Sequence, residues 1–354
     1  MARLTSLVVL CLALLAGKAE AARPIEQSYI LRAHEKKGIN LRPIIGVLSQ
    51  PGDPAPKGHS YIAASYVKFL ESAGARVVPV LPDMPRDEVK RLFESVNGFL
   101  IPGGAQDLRP GAPFYDTAEH MFNLTIKAND NGDYFPLHGT CLGFETLAII
   151  AASNHSILED FDAENLPSPL FYTDEAPSSR FFSSLPPQVY DHLRTQPYAM
   201  QNHAHGLAWT AIADNPKLLD LFKVLTLSVD RGGRVYVSSM EAKKYPITAV
   251  QWHPEKNAFE WTPDKDIPHD PDAIEVTQEV ANFIVGEARK NFHAPNSQQD
   301  EEDMLIYNWA PSYTGKHKYK GEEVDFDESY FFPEYRKYKE RLQQLRAERQ
   351  QRQE

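Results

Sequence analysis

Short apolar runs that alternate with amphipathic stretches constrain the fold of this chain more than any other feature. The apolar runs at 43–48, 76–81 and 98–101 have the length of buried strands. The stretches at 61–70 and 86–95 have the apolar spacing of helices. Strands and helices that alternate in this way form a parallel sheet with right-handed crossovers and helices on both faces. We therefore predict an α/β fold with a doubly wound, mostly parallel sheet, a three-layer sandwich.

The first 22 residues have the three parts of a secretory signal peptide. Arg3 supplies a positive charge, residues 7–16 are uninterruptedly apolar, and residues 19–21 offer small side chains for cleavage. The apolar stretch is too short to span a bilayer, and no other segment reaches the roughly 18 apolar residues of a transmembrane helix. We expect a chain without a membrane anchor that follows the secretory route to a lysosome, a vacuole or the extracellular space.

Composition divides the remaining chain into three parts. We expect a polar extension at 23–41, a catalytic domain at 42–315 and a charged tail at 316–354. Residues 334–354 carry mixed charges at helical spacing with few apolar side chains, which predicts a solvated helix. A helix that docks on a partner subunit is the alternative.

Two triplets fit the acceptor pattern for N-glycosylation. They begin at Asn123, in the run Asn-Leu-Thr, and at Asn154, in the run Asn-His-Ser. Such triplets are common by chance, so we expect glycans at Asn123 and Asn154 only if both side chains are exposed.

The charge of the chain bears on its partners. There are 48 acidic and 37 basic residues, which give a formal net charge of −11 at pH 7. A chain that neutralises phosphates has a basic surplus or a basic stripe, so nucleic acid is excluded as a partner. An anionic substrate would be repelled at neutral pH, but the 12 histidines would be largely protonated near pH 5 and would reduce that repulsion.

One cysteine remains once the leader is set aside. Cys141 lies between Gly139 and Gly143, after an apolar run at 134–137 and before a helical pattern at 144–152. A strand, a tight turn flanked by glycines and a helix form a nucleophile elbow, and the helix N-terminus favours a thiolate. A buried, inert cysteine beside a glycine turn is the alternative that this pattern leaves open.

Other segments supply the partners that a cysteine nucleophile needs. His253 and Glu255 follow the apolar run 247–252, so they can form a Cys-His-acid triad with Cys141. An exposed His-Pro-Glu turn is the simpler alternative. Gly103 and Gly104 follow the strand at 98–101, where the amide of Gly104 can join the amide of Leu142 in an oxyanion hole.

Together these segments resemble the class I glutamine amidotransferase-like fold and, more closely, the gamma-glutamyl hydrolase family. The resemblance covers Pro43 to Gly315. Beyond the triad segments, it rests on residues 61–68, 71–80, 131–136, 245–246, 287–291 and 305–307.

The resemblance implies an activity and a set of roles. Members of this family hydrolyse the gamma-linked glutamates of poly-gamma-glutamyl folates and antifolates, as homodimers and without a cofactor. By matching positions, Cys141 is the nucleophile, His253 its base and Glu255 the acid that orients the base. The family also has a second active-site histidine, for which His203 matches best and His205 is the alternative. The histidines are scattered and the mature chain has no second cysteine, so we predict neither a metal nor a cofactor.

Four further residues carry weaker expectations. Gly103, in the Gly-Gly turn, is a candidate for substrate binding. Lys256 and Arg109 lie close in sequence to the triad acid and to the Gly-Gly turn, so they are candidates by position for binding substrate carboxylates. His138 stands where relatives tend to have an aromatic residue. It either tunes the thiol or only fills a strand position.

Two other functions stay open. A glutaminase of the same fold would pass ammonia to a synthetase, whereas we expect a leader and no synthetase domain here. A secreted binding or storage protein that has lost activity would have a broken triad, whereas here all three positions are filled.

Overall fold

A computed structural model describes residues 38–316, 318–319, 322–323 and 326–353. The chain divides into two compact units, Met1–Leu41 and Arg42–Glu354, and every element described below belongs to the second. The predicted leader, and the predicted extension as far as residue 37, lie outside the described residues.

The strands account for most of the framework that holds the site. In chain order they are β1 (Ile44–Leu48), β2 (Gln50–Pro51), β3 (His59–Ala63), β4 (Arg76–Val80), β5 (Phe99–Ile101), β6 (Leu137–Thr140), β7 (Glu159–Ser168), β8 (Phe171–Tyr172), β9 (Ala199–Gly206), β10 (Phe222–Val229), β11 (Val235–Ala242), β12 (Ile247–Val250), β13 (Ser312–Tyr313), β14 (Lys318–Tyr319), β15 (Glu322–Glu323) and β16 (Glu328–Pro333).

The helices connect these strands and cover them. In chain order they are α1 (Ala64–Ser72), α2 (Arg86–Phe93), α3 (Pro113–Asp130), α4 (Leu142–Ala152), α5 (Arg180–Ser184), α6 (Pro187–Thr195), α7 (Trp209–Ala213), α8 (Pro216–Leu221), α9 (Lys256–Phe259), α10 (Pro271–Ala288), α11 (Gln298–Met304) and α12 (Tyr335–Gln353). Short 3₁₀ turns lie at Ala176–Ser178 and Ile306–Asn308.

Across the described residues, the central sheet has eight strands in the order β4-β1-β5-β6-β12-β11-β10-β8. The first five are parallel, and β11, β10 and β8 continue the sheet as antiparallel strands at one edge. Every residue of β1 and β5 is buried, as expected for strands that are covered on both faces. The predicted doubly wound, mostly parallel α/β sheet is confirmed.

The crossovers place helices on both faces of this sheet. From β1 the chain passes through α1 to β4 on one side, and from β4 it returns through α2 to β5 on the other side of β1. Because such crossovers are right-handed, α1 and α2 lie on opposite faces. In agreement, α1 packs with α10, whereas α3 packs with α2 and α4. The strand order therefore reverses beside β1, the point at which sheets of this kind hold their sites.

Predicted site residues follow shortly after the ends of three neighbouring strands. Gly103 comes two residues after β5, Cys141 comes directly after β6, and His253 comes three residues after β12. The N–H of Cys141 donates to the carbonyl oxygen of Val250 at 2.8 Å, which joins the ends of β6 and β12. The parallel sheet therefore gathers three segments that are far apart in the sequence.

Two predicted boundaries are wrong by three residues. The helix predicted at 61–70 begins only at Ala64, because the residues before it form β3 and pair with β16, a strand near the other end of the chain. No local pattern reveals such a pairing. Strand β6 begins at Leu137, later than predicted, because Pro136 has no N–H to offer a sheet.

The charged tail contributes to the folded domain. Its helix is confirmed as α12, but β16 pairs with β3 and β13 in a second sheet of order β13-β16-β3-β2. Phe332 of β16 is fully buried, and Tyr338 of α12 stacks on Trp309 at a centroid distance of 5.2 Å. This part of the predicted tail is therefore an element of the domain rather than an extension from it.

Packing, rather than covalent cross-linking, holds the described part of the chain together. An apolar core covers the central sheet, with Trp252, Tyr66 and Phe99 among its largest buried side chains. Cys141 is unpaired. None of the helices between residues 38 and 353 that the structure describes combines the length and apolar character needed to cross a bilayer.

A buried hydrogen bond ties the helix after Cys141 to the strand before His253. Gln251 is fully buried one residue after β12, and its Nε2 donates to Oε1 of Glu145 in α4 at 3.0 Å. Burial raises the pKa of Glu145 to about 8, against the lowering effect of the bond from Gln251. Glu145 is therefore a neutral acid in the folded chain at pH 5.

Removing the buried ring of Phe332 tests the contribution of the tail strand. The Phe332→Ala variant loses a fully buried aromatic side chain, so we expect its free energy of unfolding to fall by about 3–5 kcal/mol. Phe292→Ala is the matched control, because Phe292 is 51% exposed and its loss is expected to cost no more than about 0.5 kcal/mol. Equal midpoints in urea for the two variants would contradict this role of the tail.

Replacing the acid of Glu145 tests its raised pKa. Because folding raises this pKa from 4.5 to about 8, the stabilisation is complete below about pH 4.5 and is lost as the pH rises through about 8. Glu145→Gln keeps a neutral side chain at every pH and lacks that loss. We expect its stability relative to wild type to rise by the order of 1 kcal/mol per pH unit between pH 5 and 8.

Thermal unfolding over that pH range measures this difference. Glu94→Gln is the control, because Glu94 is exposed on the surface and its ion pair with Lys90 is long, at 3.6 Å. A Glu145→Gln protein whose melting temperature runs parallel to that of wild type from pH 5 to 8 would show that Glu145 is not a buried neutral acid.

Candidate active site

Cys141 lies at a sharp turn between β6 and α4. Its φ of 50° and ψ of −107° are strained for a residue other than glycine. A Cβ atom on Gly143 would lie 2.0 Å from the carbonyl oxygen of Ile101, and one on Gly139 would lie 2.7 Å from that of Gly143. Both flanking positions therefore require glycine, and the turn has the geometry of the predicted nucleophile elbow.

The environment of the Cys141 sulfur keeps it protonated in the resting site. Burial raises the pKa of the thiol well above its usual value, and the charges of Glu145 and Glu255 add to this. The amide of Leu142 and the charge of Lys256 lower the pKa, but by less. Sγ lies 4.0 Å from the carbonyl oxygen of Asn202, to which a thiol can donate. The resting thiolate expected from the helix N-terminus is therefore disfavoured, because burial outweighs the helix.

His253 and Glu255 form a buried pair. Nδ1 of His253 lies 2.7 Å from Oε1 of Glu255, and the two residues are 3% and 0% exposed. Burial by itself would raise the pKa of Glu255, but the charge and hydrogen bond of His253 lower it overall. An ionised Glu255 holds the proton on Nδ1 of His253 and leaves Nε2 as the basic nitrogen.

Gly103 brings the cysteine and the histidine together. A Cβ atom at Gly103 would lie 2.6 Å from Cε1 of His253 and 3.1 Å from Cβ of Cys141, so both side chains flank the same point of the backbone. The hydroxyl of Tyr66 accepts a hydrogen bond from the N–H of Gly103 at 2.7 Å and lies 3.4 Å from Nδ1 of His253. The structure thus brings Cys141, His253 and Glu255 together around one glycine.

The surroundings of two backbone amides bear on the predicted oxyanion hole. Nε2 of Gln50 donates to the carbonyl oxygen of Gly103 at 2.7 Å, so the N–H of Gly104 in the same trans peptide points the opposite way. A Cβ atom on Gly104 would lie 1.8 Å from Oε1 of Gln50, which excludes any larger residue. The amide of Leu142 forms a hydrogen bond with the sulfur of Cys141 and so faces the site.

His203, rather than His205, lies beside these residues. His203 is 4% exposed and follows Asn202, whose carbonyl oxygen contacts the sulfur of Cys141. Its Nδ1 donates to the carbonyl oxygen of His205 at 2.8 Å, and its buried Nε2 has no hydrogen-bond partner among the described residues. Burial lowers the pKa of His203 to about 3, and the charge of His253 acts in the same direction. The side chain of His205 is 62% exposed and pairs with Asp160 at 3.0 Å.

His138 is held by its neighbour in the sheet. It is 3% exposed, and its Nδ1 lies 2.8 Å from Oγ1 of Thr248, the residue opposite it on β12. Burial lowers its pKa to about 3, so the ring is neutral. These contacts favour the strand-filling alternative over a direct effect on the thiol.

The two cations predicted to bind substrate lie in contrasting surroundings. The Arg109 side chain is 82% exposed, and its Nη2 and Nε bond the carboxylate of Asp107 at 2.6 and 2.9 Å. Lys256 is 1% exposed, and its Nζ lies 5.1 Å from the centre of the Phe326 ring. The charge of Lys256 lowers the pKa of Glu255, so its visible effect is on the triad. Substrate binding by either cation stays a prediction.

A possible metal-ligand group lies outside the triad. Among the described residues, His192 of α6 and Asp272 and Glu275 of α10 place one ligand atom each within 4.8 Å of one another. Asp272 is exposed, the other two are partly buried, and none of the three belongs to the predicted catalytic set.

Three residues that contact the site were missed by the sequence patterns, namely Tyr66, Gln50 and Asn202. Each acts through a contact with a distant segment, and such contacts leave no local spacing to detect. The family resemblance gives a partial signal for two of them. Asn202 directly precedes His203, and Tyr66 lies in the segment 61–68, and both segments carry that resemblance.

Comparison with known proteins identifies the family of this chain. The model of the Peptidase C26 family matches residues 43–255, a range that includes the whole triad. Gamma-glutamyl hydrolase 1 of Arabidopsis thaliana is 41% identical over 305 residues, which cover 84% of this chain and 85% of the plant protein. The gamma-glutamyl hydrolases of Mus musculus and Homo sapiens are each 43% identical over 77% of this chain and 86% of their own length.

These matches extend over most of the chain and over most of each relative. They confirm the resemblance that the triad segments and their flanking residues indicate. The chain therefore belongs to the Peptidase C26 family, with the gamma-glutamyl hydrolases.

Proposed function

We propose that this protein is a cysteine hydrolase that cleaves the gamma-glutamyl bonds of poly-gamma-glutamyl folates and antifolates. The observation that carries the proposal is the buried His253–Glu255 pair, which flanks Gly103 together with Cys141 at the ends of three adjacent strands. Relatives named gamma-glutamyl hydrolase, aligned over most of their length, support the choice of bond.

In the first half of the reaction, His253 Nε2 takes the proton from the thiol of Cys141 as the sulfur attacks the γ-carbonyl carbon. The carbonyl π electrons move to oxygen, and the amides of Gly104 and Leu142 bind the oxyanion. Because the pKa of the thiol is raised, this transfer depends on Glu255, which stays ionised and stabilises the imidazolium.

In the second half, the C–N bond breaks and the imidazolium gives its proton to the departing amine. The acyl group remains on Cys141 as a thioester. Water, deprotonated by His253, then attacks the thioester, and the thiolate leaves and regains its proton. No redox change and no co-reactant other than water is required.

Replacing Glu255 or Cys141 tests this mechanism. We expect Cys141→Ala to abolish shortening of pteroyl-poly-gamma-glutamate at pH 5, and Glu255→Gln to lower kcat by about 10³- to 10⁴-fold because the imidazole loses its orienting charge. Exposed Glu94→Gln is the matched control. Chromatography of the shortened products measures the rates.

The same assay separates the other functions. Ammonia released from free glutamine, with no shortening of the polyglutamate, would identify a glutaminase. A wild-type protein that turns over neither substrate would identify an inactive binding protein. A Cys141→Ala variant as active as wild type would contradict the proposed nucleophile.

We also propose that the chain follows the secretory route to a lysosome, a vacuole or the extracellular space. The leader pattern at 1–22 supports this. Asn123 is exposed on α3, and Asn154 is exposed in a turn after α4, where its Oδ1 accepts the N–H of Ser156 at 3.0 Å. Both side chains can therefore carry a glycan on the folded protein.

A homodimer is proposed from the family resemblance alone, and light scattering tests it.

Expression in a eukaryotic secretory system tests the two acceptor sites. We expect Asn154→Gln and Asn123→Gln each to lower the mass of the secreted protein by one glycan, and the double variant to match enzymatically deglycosylated wild type. Asn308→Gln, at an asparagine outside any acceptor triplet, is the control. A wild-type protein that is secreted at the mass of its bare polypeptide would exclude both sites.

A further inference from the structure

A loop after the triad acid brings a cation to a residue that contacts the nucleophile. The loop lies between α9 and α10, and within it the partly buried Lys265 donates from Nζ to Oδ1 of Asn202 at 3.4 Å. The carbonyl oxygen of the same Asn202 lies 4.0 Å from Sγ of Cys141. A single residue therefore contacts both the ammonium group and the thiol.

Contacts on both sides of Lys265 hold its hydrogen-bond acceptor and the next residue of the loop in place. Oδ1 of Asn202 also accepts the N–H of Asn165 at 3.0 Å. The side chain of Asn165 in turn accepts the N–H of Asp266 at 2.6 Å and donates to the carboxylate of Asp266 at 3.2 Å. These bonds attach the residue next to Lys265 to strand β7, and through Asn202 to β9, so the loop is anchored beside the site.

Lys265 differs from the two cations that the sequence proposed. Lys256 is buried among Phe326 and the triad acid, so a ligand could reach its ammonium only if that packing opened. Arg109 is held by the carboxylate of Asp107. Lys265 and Asn202 are both partly exposed, so a substrate carbonyl that approaches Cys141 brings its neighbouring groups to Lys265.

The chemistry of the substrate requires such a group. Each gamma-linked glutamate keeps its α-carboxylate, and on the leaving side that carboxyl carbon is separated from the scissile nitrogen only by Cα. Attack at the γ-carbonyl therefore places a negative charge within a few bonds of the sulfur. A chain with a net charge of −11 repels that charge unless a local cation offsets it.

We propose that Lys265 binds a substrate carboxylate beside the scissile gamma-glutamyl bond and so contributes to the preference for gamma-linked glutamate. This inference rests on the proposed function. In this proposal Lys265 binds substrate, whereas His253 carries out the proton transfers.

Steady-state kinetics with pteroyl-di-gamma-glutamate at pH 5 test the inference. We expect Lys265→Met to raise KM about tenfold with kcat within about twofold, because a partly solvated charge-assisted hydrogen bond is lost from the bound state. Lys265→Arg keeps the charge and is expected to retain most of the affinity. Lys217→Met, at an exposed lysine of α8, is the matched control.

Amidated substrates identify the carboxylate. One analogue carries a carboxamide in place of the α-carboxylate of the leaving glutamate. The other carries a carboxamide in place of the α-carboxylate of the acyl-donor glutamate. Wild type is expected to lose about tenfold in kcat/KM with one analogue, and Lys265→Met to lose nothing further with that same analogue. Equal losses in wild type and variant with both analogues, or an unchanged KM in Lys265→Met, would overturn the inference.

Binding to the inactive Cys141→Ala protein separates this inference from the proposed function. Calorimetry with pteroyl-di-gamma-glutamate is expected to show a Kd about tenfold higher when Lys265→Met is added to that background. A wild type that never shortens the substrate would refute the proposed function, while the Kd difference would still decide the role of Lys265. A melting temperature of Lys265→Met equal to that of wild type would show that the variant is folded. The loss that wild type shows with an amidated substrate is measured without any variant.

Discussion

The close approach of three strand ends at Gly103 is the constraint on which the rest of the site depends. Cys141 and His253 belong to segments that are far apart in the sequence, and they meet because β5, β6 and β12 are parallel neighbours. The contact leaves no room for a side chain, since a Cβ atom at Gly103 would lie within 3.1 Å of both partners and of the hydroxyl of Tyr66. The parallel sheet places Cys141 and His253 side by side, and the absence of a side chain at Gly103 lets both residues approach the same point of the backbone.

Burial sets the electrostatics of this site in two opposite ways. It raises the pKa of the Cys141 thiol and of Glu145, whose neutral form predominates at acid pH, and it lowers the pKa of His138 and His203, which keeps both rings neutral. Glu255 is the exception, because its bond to His253 outweighs burial. Among these buried groups, Glu255 is therefore the one that its surroundings favour in the charged form.

The sequence predicts the sheet and the triad segments well, because apolar spacing and glycine turns are local signals. The strands near 44–48, 76–80 and 99–101 lie where they were predicted. It could not predict the pairing of β3 with β16, nor the contacts of Tyr66 and Asn202, because these depend on how remote segments approach. The thiolate expectation failed for a related reason, since a helix terminus is visible in a sequence but the burial of a sulfur among carboxylates is not.

The pairing of β16 with β3 has a consequence for how the protein is made. Strand β3 leads directly into α1, which carries Tyr66 to Gly103, and β3 lies between β16 and β2 in the second sheet. Strand β16 follows Cys141, His253 and Glu255 in the sequence, so a ribosome synthesises this support beneath Tyr66 after all three residues. The nascent chain therefore holds its three candidate catalytic residues before the strand that flanks β3 on that side exists.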